Sequence, residues 1–168
     1  MGCVISQDEL ILRRAEWKRN GKRVVFANGV FDLLHPGYVR LIEQARSHGD
    51  ILVIGIESES NSHDRRDSQP RLPGLPGLPI TPSEERAEVV AALAAVDFAV
   101  EFDPNSSPPL VAKITPDIIV LGGSPASDKK ALPLDESSSS AAGKVIRIPL
   151  EPGHSTARLI ERIKNLNA

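Results

Sequence analysis

The sequence predicts an α/β protein with a Rossmann-like, parallel five-stranded sheet and helices on both faces. Short apolar runs alternate with segments whose apolar residues recur at helical spacing. Runs such as Val24–Ala27 and Ile51–Ile56 show no polar alternation, which is typical of strands buried on both faces. Parallel neighbours need crossover connections, and the intervening helical segments would provide them.

The first part of the chain predicts helix, strand, helix and strand in that order. Ser6 and Glu9 have capping-box spacing, so a helix is expected over about 7–20, ended by Gly21 in a left-handed cap. The next predicted elements are a strand at Val24–Ala27, a helix carrying Tyr38, Leu41, Ile42 and Ala45 on one face, and a strand at Ile51–Ile56.

The second part begins with a predicted long mobile loop at 58–80, because its repeated Leu-Pro-Gly fits neither a helix nor a central strand. Thr81 is expected to cap the following helix, with Pro82 in the first turn and Glu84 reaching back. Its predicted inward face is Ala87, Val90, Ala91 and Ala94. The remaining predictions are strands at Phe98–Phe102, Ile118–Leu121 and Val145–Ile148, a short helix at Pro108–Ile114, and a last helix with Leu159, Ile160, Ile163 and Leu166 on its apolar face.

Length and composition narrow the classes of function. The 168 residues fit one domain, and a net charge of −2 argues against a nucleic-acid partner. No apolar run approaches the roughly 18 residues of a membrane span, so no membrane partner is expected. Cys3 is the only cysteine, which makes a cytoplasmic protein the default. The histidines show no metal-ligand spacing, and no protein-bound metal site is predicted.

The segment Asn28–Tyr38 is the strongest candidate for a ligand site. It follows the first predicted strand, and ligands of such sheets bind at the carboxyl ends of strands. Gly29 and Gly37 permit close backbone approach, the start of a helix presents amides to an anion, and His35 adds a donor. The pattern is typical of a phosphate site, although a plain turn with His35 packed locally fits the spacing equally well.

The stretch Phe26–Gly37, read as FANGVFDLLHPG, resembles the first motif of the cytidylyltransferase-like nucleotidyltransferases. That motif runs through asparagine-glycine and phenylalanine-aspartate to H-x-G-H. Within the superfamily the chain is most similar to the adenylyltransferase domain of ADP-heptose synthase, over about residues 23–163. Further matches follow in order at His48-Gly49-Asp50, Pro79-Ile80 with Glu85-Arg86, Val96-Asp97, Thr115-Pro116-Asp117, Gly122-Gly123 and Ser155-Thr156.

The resemblance implies transfer of a nucleoside monophosphate from a triphosphate, expected to be ATP with Mg2+ on its phosphates, to a small sugar phosphate. It implies catalytic roles for His35 and for Tyr38, which stands where the family has its second histidine. The residues expected to bind the nucleotide are Asn28, Gly29, Phe31, Asp32, Gly37, Arg86, Gly122, Gly123, Ser155 and Thr156. Because relatives often self-associate, a homodimer is an expected assembly.

Several positions depart from the family pattern. Tyr38 can donate one neutral hydrogen bond but brings no positive charge at neutral pH. Loss of one such donor costs about 2 to 4 kcal/mol of transition-state stabilisation, on the scale of oxyanion-hole deletions. The other departures are Ala27 for threonine, Leu78 for a basic residue, Leu121 for lysine, Ser124 for aspartate and Ala157 for threonine. Replacement charge could come from Arg65, Arg66, Arg71, Lys129 or Lys130.

Three functions are therefore open at the level of sequence. The first is a working adenylyltransferase acting on a heptose 1-phosphate type of acceptor. The second is a noncatalytic relative that keeps nucleotide affinity, suggested by Tyr38 and Leu121. The third is a cytidylyltransferase for another phosphorylated alcohol.

Overall fold

The computed structural model describes residues 2–58, 79–106, 109–122 and 143–166. Most of the predicted loop at 58–80 and the segment 123–142 lie outside this description. The strands are β1 Cys3–Val4, β2 Val24–Gly29, β3 Ile51–Glu57, β4 Phe98–Phe102, β5 Ile118–Gly122 and β6 Lys144–Ile148. The helices are α1 Gln7–Arg19, α2 Pro36–Arg46, α3 Ser83–Ala91, α4 Leu110–Ile114 and α5 Thr156–Leu166.

Six strands of the described residues form one parallel sheet in the order β1-β4-β3-β2-β5-β6. The predicted fold class is confirmed, but the predicted number of five strands is wrong. The additional strand, β1, pairs Cys3 and Val4 with Phe98 and Ala99 at the edge of the sheet. Both residues of β1 are exposed, so the strand leaves no buried apolar run that a sequence pattern could reveal.

The central strands bury both faces. In β2, Val25 and Ala27 belong to one apolar cluster, while Val24 and Phe26 belong to a second cluster on the opposite face. This division follows the strand period of two residues, which sends successive side chains to opposite faces. The absence of polar alternation in the sequence therefore reflects a strand with a helical layer on each side.

Different helices close the two clusters. Leu41 and Ile42 of α2 and Val90 of α3 pack into the first cluster, whereas Leu10 of α1 and Ile114 of α4 pack into the second. The prediction of helices on both faces is confirmed. Within the described ranges, none of these helices combines the length and hydropathy that crossing a bilayer requires.

Two predictions about α3 are wrong. Pro82, rather than Thr81, stands at the N-cap and makes no side-chain cap hydrogen bond. The Thr81 hydroxyl instead donates to Oδ1 of Asp32 at 2.7 Å, because a buried carboxylate competes for it. Ala94 is exposed, since the helix ends at Ala91 and the chain has already turned toward β4.

The two ends of α1 match the predictions. Ser6 caps the helix, and its Oγ accepts from the Glu9 amide at 3.1 Å. Gly21 has a φ of +66°, the left-handed conformation that glycine adopts without steric cost. The last helix, α5, buries Ile160, whereas Ile163 and Leu166 of its predicted apolar face are exposed.

Three aspartates that precede strands close the amino edge of the sheet. Asp50 accepts from the Arg23 amide, Asp97 from the Leu52 amide and Asp117 from the Val24 amide, each at 2.7 Å. Each carboxylate thereby bonds the start of the neighbouring strand. The opposite, carboxyl edge carries the residues of the candidate site.

Candidate active site

The strand order reverses between β2 and β5. β2 pairs with β3 on one side and with β5 on the other, and later strands continue outward from each. Ligands of open parallel sheets bind beyond the carboxyl ends of strands at such a reversal. Asn28 and Gly29 end β2, and Gly122 ends β5, so all three flank this point. Asn28 and Gly29 are therefore strand residues, although the strand was expected to end at Ala27.

The loop from β2 to α2 contains two residues in an unusual backbone conformation. Phe31 and Leu33 have φ values of +52° and +47°, which side chains other than glycine rarely adopt. Each such residue costs on the order of 1–3 kcal/mol and persists only where surrounding contacts impose it. The Phe31 ring is 2% exposed and packs against Tyr38, with ring centroids 5.1 Å apart. Phe31 therefore anchors the loop through its buried ring.

Asp32 fastens this loop to the start of α3. Its carboxylate accepts from the Ile80 amide at 2.8 Å and from the amide and hydroxyl of Thr81 at 3.2 and 2.7 Å. The side chain is only 2% exposed. The carboxylate thus holds Pro79-Ile80 and the following turn beside the loop.

His35 stands at the N-cap of α2, and its side chain makes no cap hydrogen bond. The residue is 7% exposed, and Nδ1 is buried without a hydrogen-bond partner in the described part of the chain. Burial, and secondarily the charge of His154, lower the pKa of His35. A Cβ at Gly37 would lie 3.0 Å from Nδ1, so the glycine provides the space that the imidazole occupies.

Tyr38 lies between two aromatic neighbours. Its ring stacks on His35 with centroids 4.2 Å apart and an interplanar angle of 20°, and Phe31 lies on another side. Burial raises the pKa of Tyr38, while a hydrogen bond with the side chain of Thr156 lowers it. Because the raised pKa starts from 10.0, the hydroxyl stays protonated near neutrality.

A second helix N-terminus meets the first at this place. Ser155 caps α5, and its Oγ accepts from the Arg158 amide at 3.2 Å. Thr156 donates from Oγ1 to the Asp32 carbonyl at 2.8 Å. Ser155 and Thr156 thus open the last helix as predicted, and Thr156 bonds it to the β2–α2 loop.

Arg86 lies beneath the site rather than at the protein surface. It is 2% exposed and donates from Nε to the Thr81 carbonyl, from Nη1 to the Val30 carbonyl, and from Nη2 to the Glu57 carbonyl. The guanidinium joins the ends of β2 and β3 to the start of α3. Its predicted contact with nucleotide stays a prediction, and the observed bonds give Arg86 a positioning role.

Sequence reasoning missed Glu57, the last residue of β3. Its side chain is 6% exposed, and Oε1 accepts from Nδ2 of Asn28 at 3.4 Å. A carboxylate that ends an otherwise apolar run, one strand from Asn28-Gly29, was a signal that could have identified it.

The end of β5 approaches α2 closely. A Cβ at Gly122 would lie 2.9 Å from Cδ2 of Leu41, so the residue must be small. Leu121 is 9% exposed and packs into the second apolar cluster. Several predicted residues fall outside the described ranges: Gly123, Leu78, Ser124, Arg65, Arg66, Arg71, Lys129 and Lys130.

This arrangement suits an anion. The amino ends of α2 and α5 carry partial positive charge, and Gly37 bears the first N–H of α2 because Pro36 has none. His35 adds a buried imidazole beside that amide. No group of three or more histidine, cysteine or acidic side chains arranged for a metal is present in the described residues.

Comparison with known proteins agrees with this geometry. A family model described as cytidylyltransferase-like matches residues 26–162. The chain is 38% identical over 160 residues to the bifunctional protein HldE of Koribacter versatilis, and 38% identical over 159 residues to that of Rhodopseudomonas palustris strain HaA2. Each match covers 95% of this chain, but only 31% and 30% of the relatives. The chain therefore spans about a third of the length of the curated relatives that it matches.

Solved structures support the fold. A lipopolysaccharide core biosynthesis protein from Thermoplasma volcanium superposes with a TM-score of 0.59 and 24% identity, over 78% of this chain and 98% of that one. A pantoate-beta-alanine ligase from Francisella tularensis, crystallised with beta-gamma ATP and beta-alanine, superposes with a TM-score of 0.55 and 12% identity. That match covers 100% of this chain and 79% of the ligase.

Proposed function

The chain belongs to the cytidylyltransferase-like family of nucleotidyltransferases, and we propose that it transfers AMP from ATP to a sugar phosphate of the heptose 1-phosphate type. The observation that carries the proposal is Nδ1 of His35, which is buried at the amino end of α2, where α5 also begins, and has no hydrogen-bond partner among the described residues. The similarity to HldE proteins supports this class of acceptor.

The reaction is an in-line displacement at the α-phosphorus. An oxygen of the acceptor phosphate forms a bond to that phosphorus, and the bond to the bridging oxygen of pyrophosphate breaks. The protein needs no covalent nucleophile, so its contribution is orientation and hydrogen bonding to charge on the transferring group. The Gly37 amide and the His35 imidazole lie at the helix end where those oxygens would be held.

His35 serves this reaction as a neutral donor. Because its pKa is lowered from 6.5, the free protein holds a neutral imidazole at pH 7, with one N–H to donate. Tyr38 stacks on the ring and fixes its plane. A fixed donor costs no reorganisation when charge develops, which is the basis of such stabilisation.

Mg2+ enters the proposal as part of the substrate. Magnesium in nucleotide sites binds mainly through phosphate oxygens and water, with one or two carboxylates. The carboxylate of Asp32 already accepts three hydrogen bonds from Ile80 and Thr81. Glu57 ends β3 beside Asn28 at this edge, and it is the carboxylate that we propose for a metal–triphosphate complex.

A pyrophosphate-release assay tests the proposal. ATP and CTP, each with Mg2+, are incubated with heptose 1-phosphate, other sugar phosphates and glycerol phosphate. We expect release to be fastest with ATP and a sugar 1-phosphate, and His35→Asn to slow it about 100-fold, as loss of a transition-state donor does. His48→Asn is the matched control, because His48 follows the opposite end of α2.

Each outcome of that assay has a clear meaning. Release with CTP and glycerol phosphate alone would favour the cytidylyltransferase. No release with any pair, combined with ATP binding by calorimetry, would favour a noncatalytic nucleotide-binding module. The engagement of the Tyr38 hydroxyl with Thr156 is the observation that favours this second function. A cytoplasmic location and a homodimer belong to the proposal as expectations, to be checked by fractionation and light scattering.

A further inference from the structure

A second imidazole lies beside His35, although position 38 does not provide one. His154 precedes the cap of α5, and its Cβ lies 3.2 Å from the point that a Cβ on Gly37 would occupy. Nδ1 of His35 is 3.0 Å from the same point. The two histidines therefore flank Gly37 from α2 and from the loop before α5.

Three contacts hold the His154 segment against α2 and the loop before it. Glu151 forms an ion pair with Arg40, which lies one turn into α2. Two residues after His154, Thr156 donates to the Asp32 carbonyl at 2.8 Å and hydrogen-bonds with Tyr38. Residues on both sides of His154 in the sequence therefore make tertiary contacts, and these contacts place His154 beside Gly37.

Basic side chains bond the segment around His154. Arg40 lies in α2, and Arg158 lies in α5, where Nη1 donates to the Gly153 carbonyl at 3.2 Å. Glu151, in the same segment as His154, is paired with Arg40. The amino ends of α2 and α5 add partial positive charge. Together these features favour an anion beside Gly37.

Resting on the proposed function, we propose that His154 is a catalytic residue that binds the triphosphate together with His35, in the role that the second histidine of H-x-G-H leaves open at Tyr38. His154 is exposed, so its imidazole can reach a ligand that enters from solvent. An imidazole can bear a positive charge, which a tyrosine hydroxyl cannot. His154 then supplies the imidazole donor that position 38 lacks.

The test compares His154→Gln with His48→Gln, a histidine at the far end of α2. We expect His154→Gln to lower kcat/KM for ATP about 10- to 100-fold, the scale of a lost charged donor, and His48→Gln to stay within about twofold of wild type. Equal melting temperatures of the two variants show that the fold is intact. Equal kcat/KM for the two variants would overturn the proposal.

A rescue experiment separates catalysis from a structural effect. We expect the double variant, with Tyr38→His added to His154→Gln, to be at least about tenfold more active than His154→Gln alone. In the proposal both histidines bind the same phosphate oxygens, so their effects are coupled. An unchanged rate in the double variant contradicts the proposal. The imidazole resonances of His154 should also shift on addition of ATP and Mg2+, while those of His48 should not.

The outcomes distinguish this inference from the proposed function. If the wild-type protein binds ATP but releases no pyrophosphate, the proposed transferase activity is contradicted. The role of His154 is then tested by measuring the affinity for ATP. In that case His154→Gln must weaken ATP binding about tenfold relative to His48→Gln. Wild-type protein that binds no ATP overturns both.

Discussion

Burial and the neighbouring charge of His154 both hold the pKa of His35 below its ordinary value of 6.5. Around it, buried polar residues act on one another: Asp32 accepts from Thr81, and Arg86 donates to the carbonyls of Val30 and Glu57. These buried hydrogen bonds fix the loop that leads to His35, and so they help to fix its ring. Rigid support of this kind is what a site relying on orientation requires.

The lowered pKa of His35 predicts how stability depends on pH. In the folded protein His35 releases its proton at lower pH than in the unfolded chain, so the unfolded chain binds more protons between the folded pKa and pH 6.5. The stability contributed by the neutral ring is therefore fully present above 6.5 and declines as pH falls through this window.

We expect His35→Gln to lose less stability than wild type on going from pH 7.5 to pH 5.5, as measured by urea unfolding at both values. The two proteins differ only at position 35, so the difference between their losses reports on this side chain. An equal loss in the two proteins would show that His35 is not held neutral by the fold.

The sequence placed the predicted site residues at one edge of the sheet, but it did not reveal their internal hydrogen bonds. Asn28, His35, Gly37, Ser155 and Thr156 all lie at the predicted edge of the sheet. Spacing alone could not reveal the internal hydrogen bonds of Asp32 and Arg86, since both depend on segments 50 or so residues away. The proximity of His154 to Gly37 depends on the same long-range packing.

At the scale of elements, aspartate carboxylates link neighbouring strands at the amino edge of the sheet. Asp50, Asp97 and Asp117 each accept a backbone amide from a neighbouring strand or its lead-in at 2.7 Å. These aspartates belong to the motifs that carry the family resemblance. Their position opposite the candidate site indicates that this part of the resemblance reflects strand register rather than chemistry.

We expect Asp97→Ala to lower the free energy of unfolding by about 1.5–3 kcal/mol, since it removes a charged acceptor from the Leu52 amide. ATP affinity should be unchanged, because Asp97 lies before β4 at the other edge. Asp97→Asn is the matched control, as its amide oxygen can still accept. Chemical denaturation and calorimetry measure both quantities, and a large loss of ATP affinity in a stable variant would contradict this assignment.

Hydrophobic periodicity and capping residues correctly predicted the elements whose formation depends on neighbouring residues in the sequence. The buried strands, the Ser6 cap and the glycine after α1 follow from neighbouring residues. Thr81 was assigned as a helix cap because capping-box spacing is a local rule, whereas its hydroxyl bonds a carboxylate 49 positions away. The two-residue strand β1 depends on pairing with β4, and its own sequence contains no strand pattern.

At the scale of the whole molecule, the sheet order places β2 between β3 and β5 and so creates the crevice. The loop after β2, the helix α5 and the end of β3 converge there, joined by Asp32, Tyr38 and Arg86. The prediction that residues 1–168 form one domain stays a prediction, and the relatives are about three times as long as the matched region.

The most direct test of the account is a crystal structure of the protein with a nonhydrolysable ATP analogue and Mg2+. The account predicts the triphosphate at the amino ends of α2 and α5, with an oxygen within hydrogen-bond distance of the Gly37 amide and of His35. A nucleotide bound elsewhere, with the His35 imidazole still unpartnered, would contradict it.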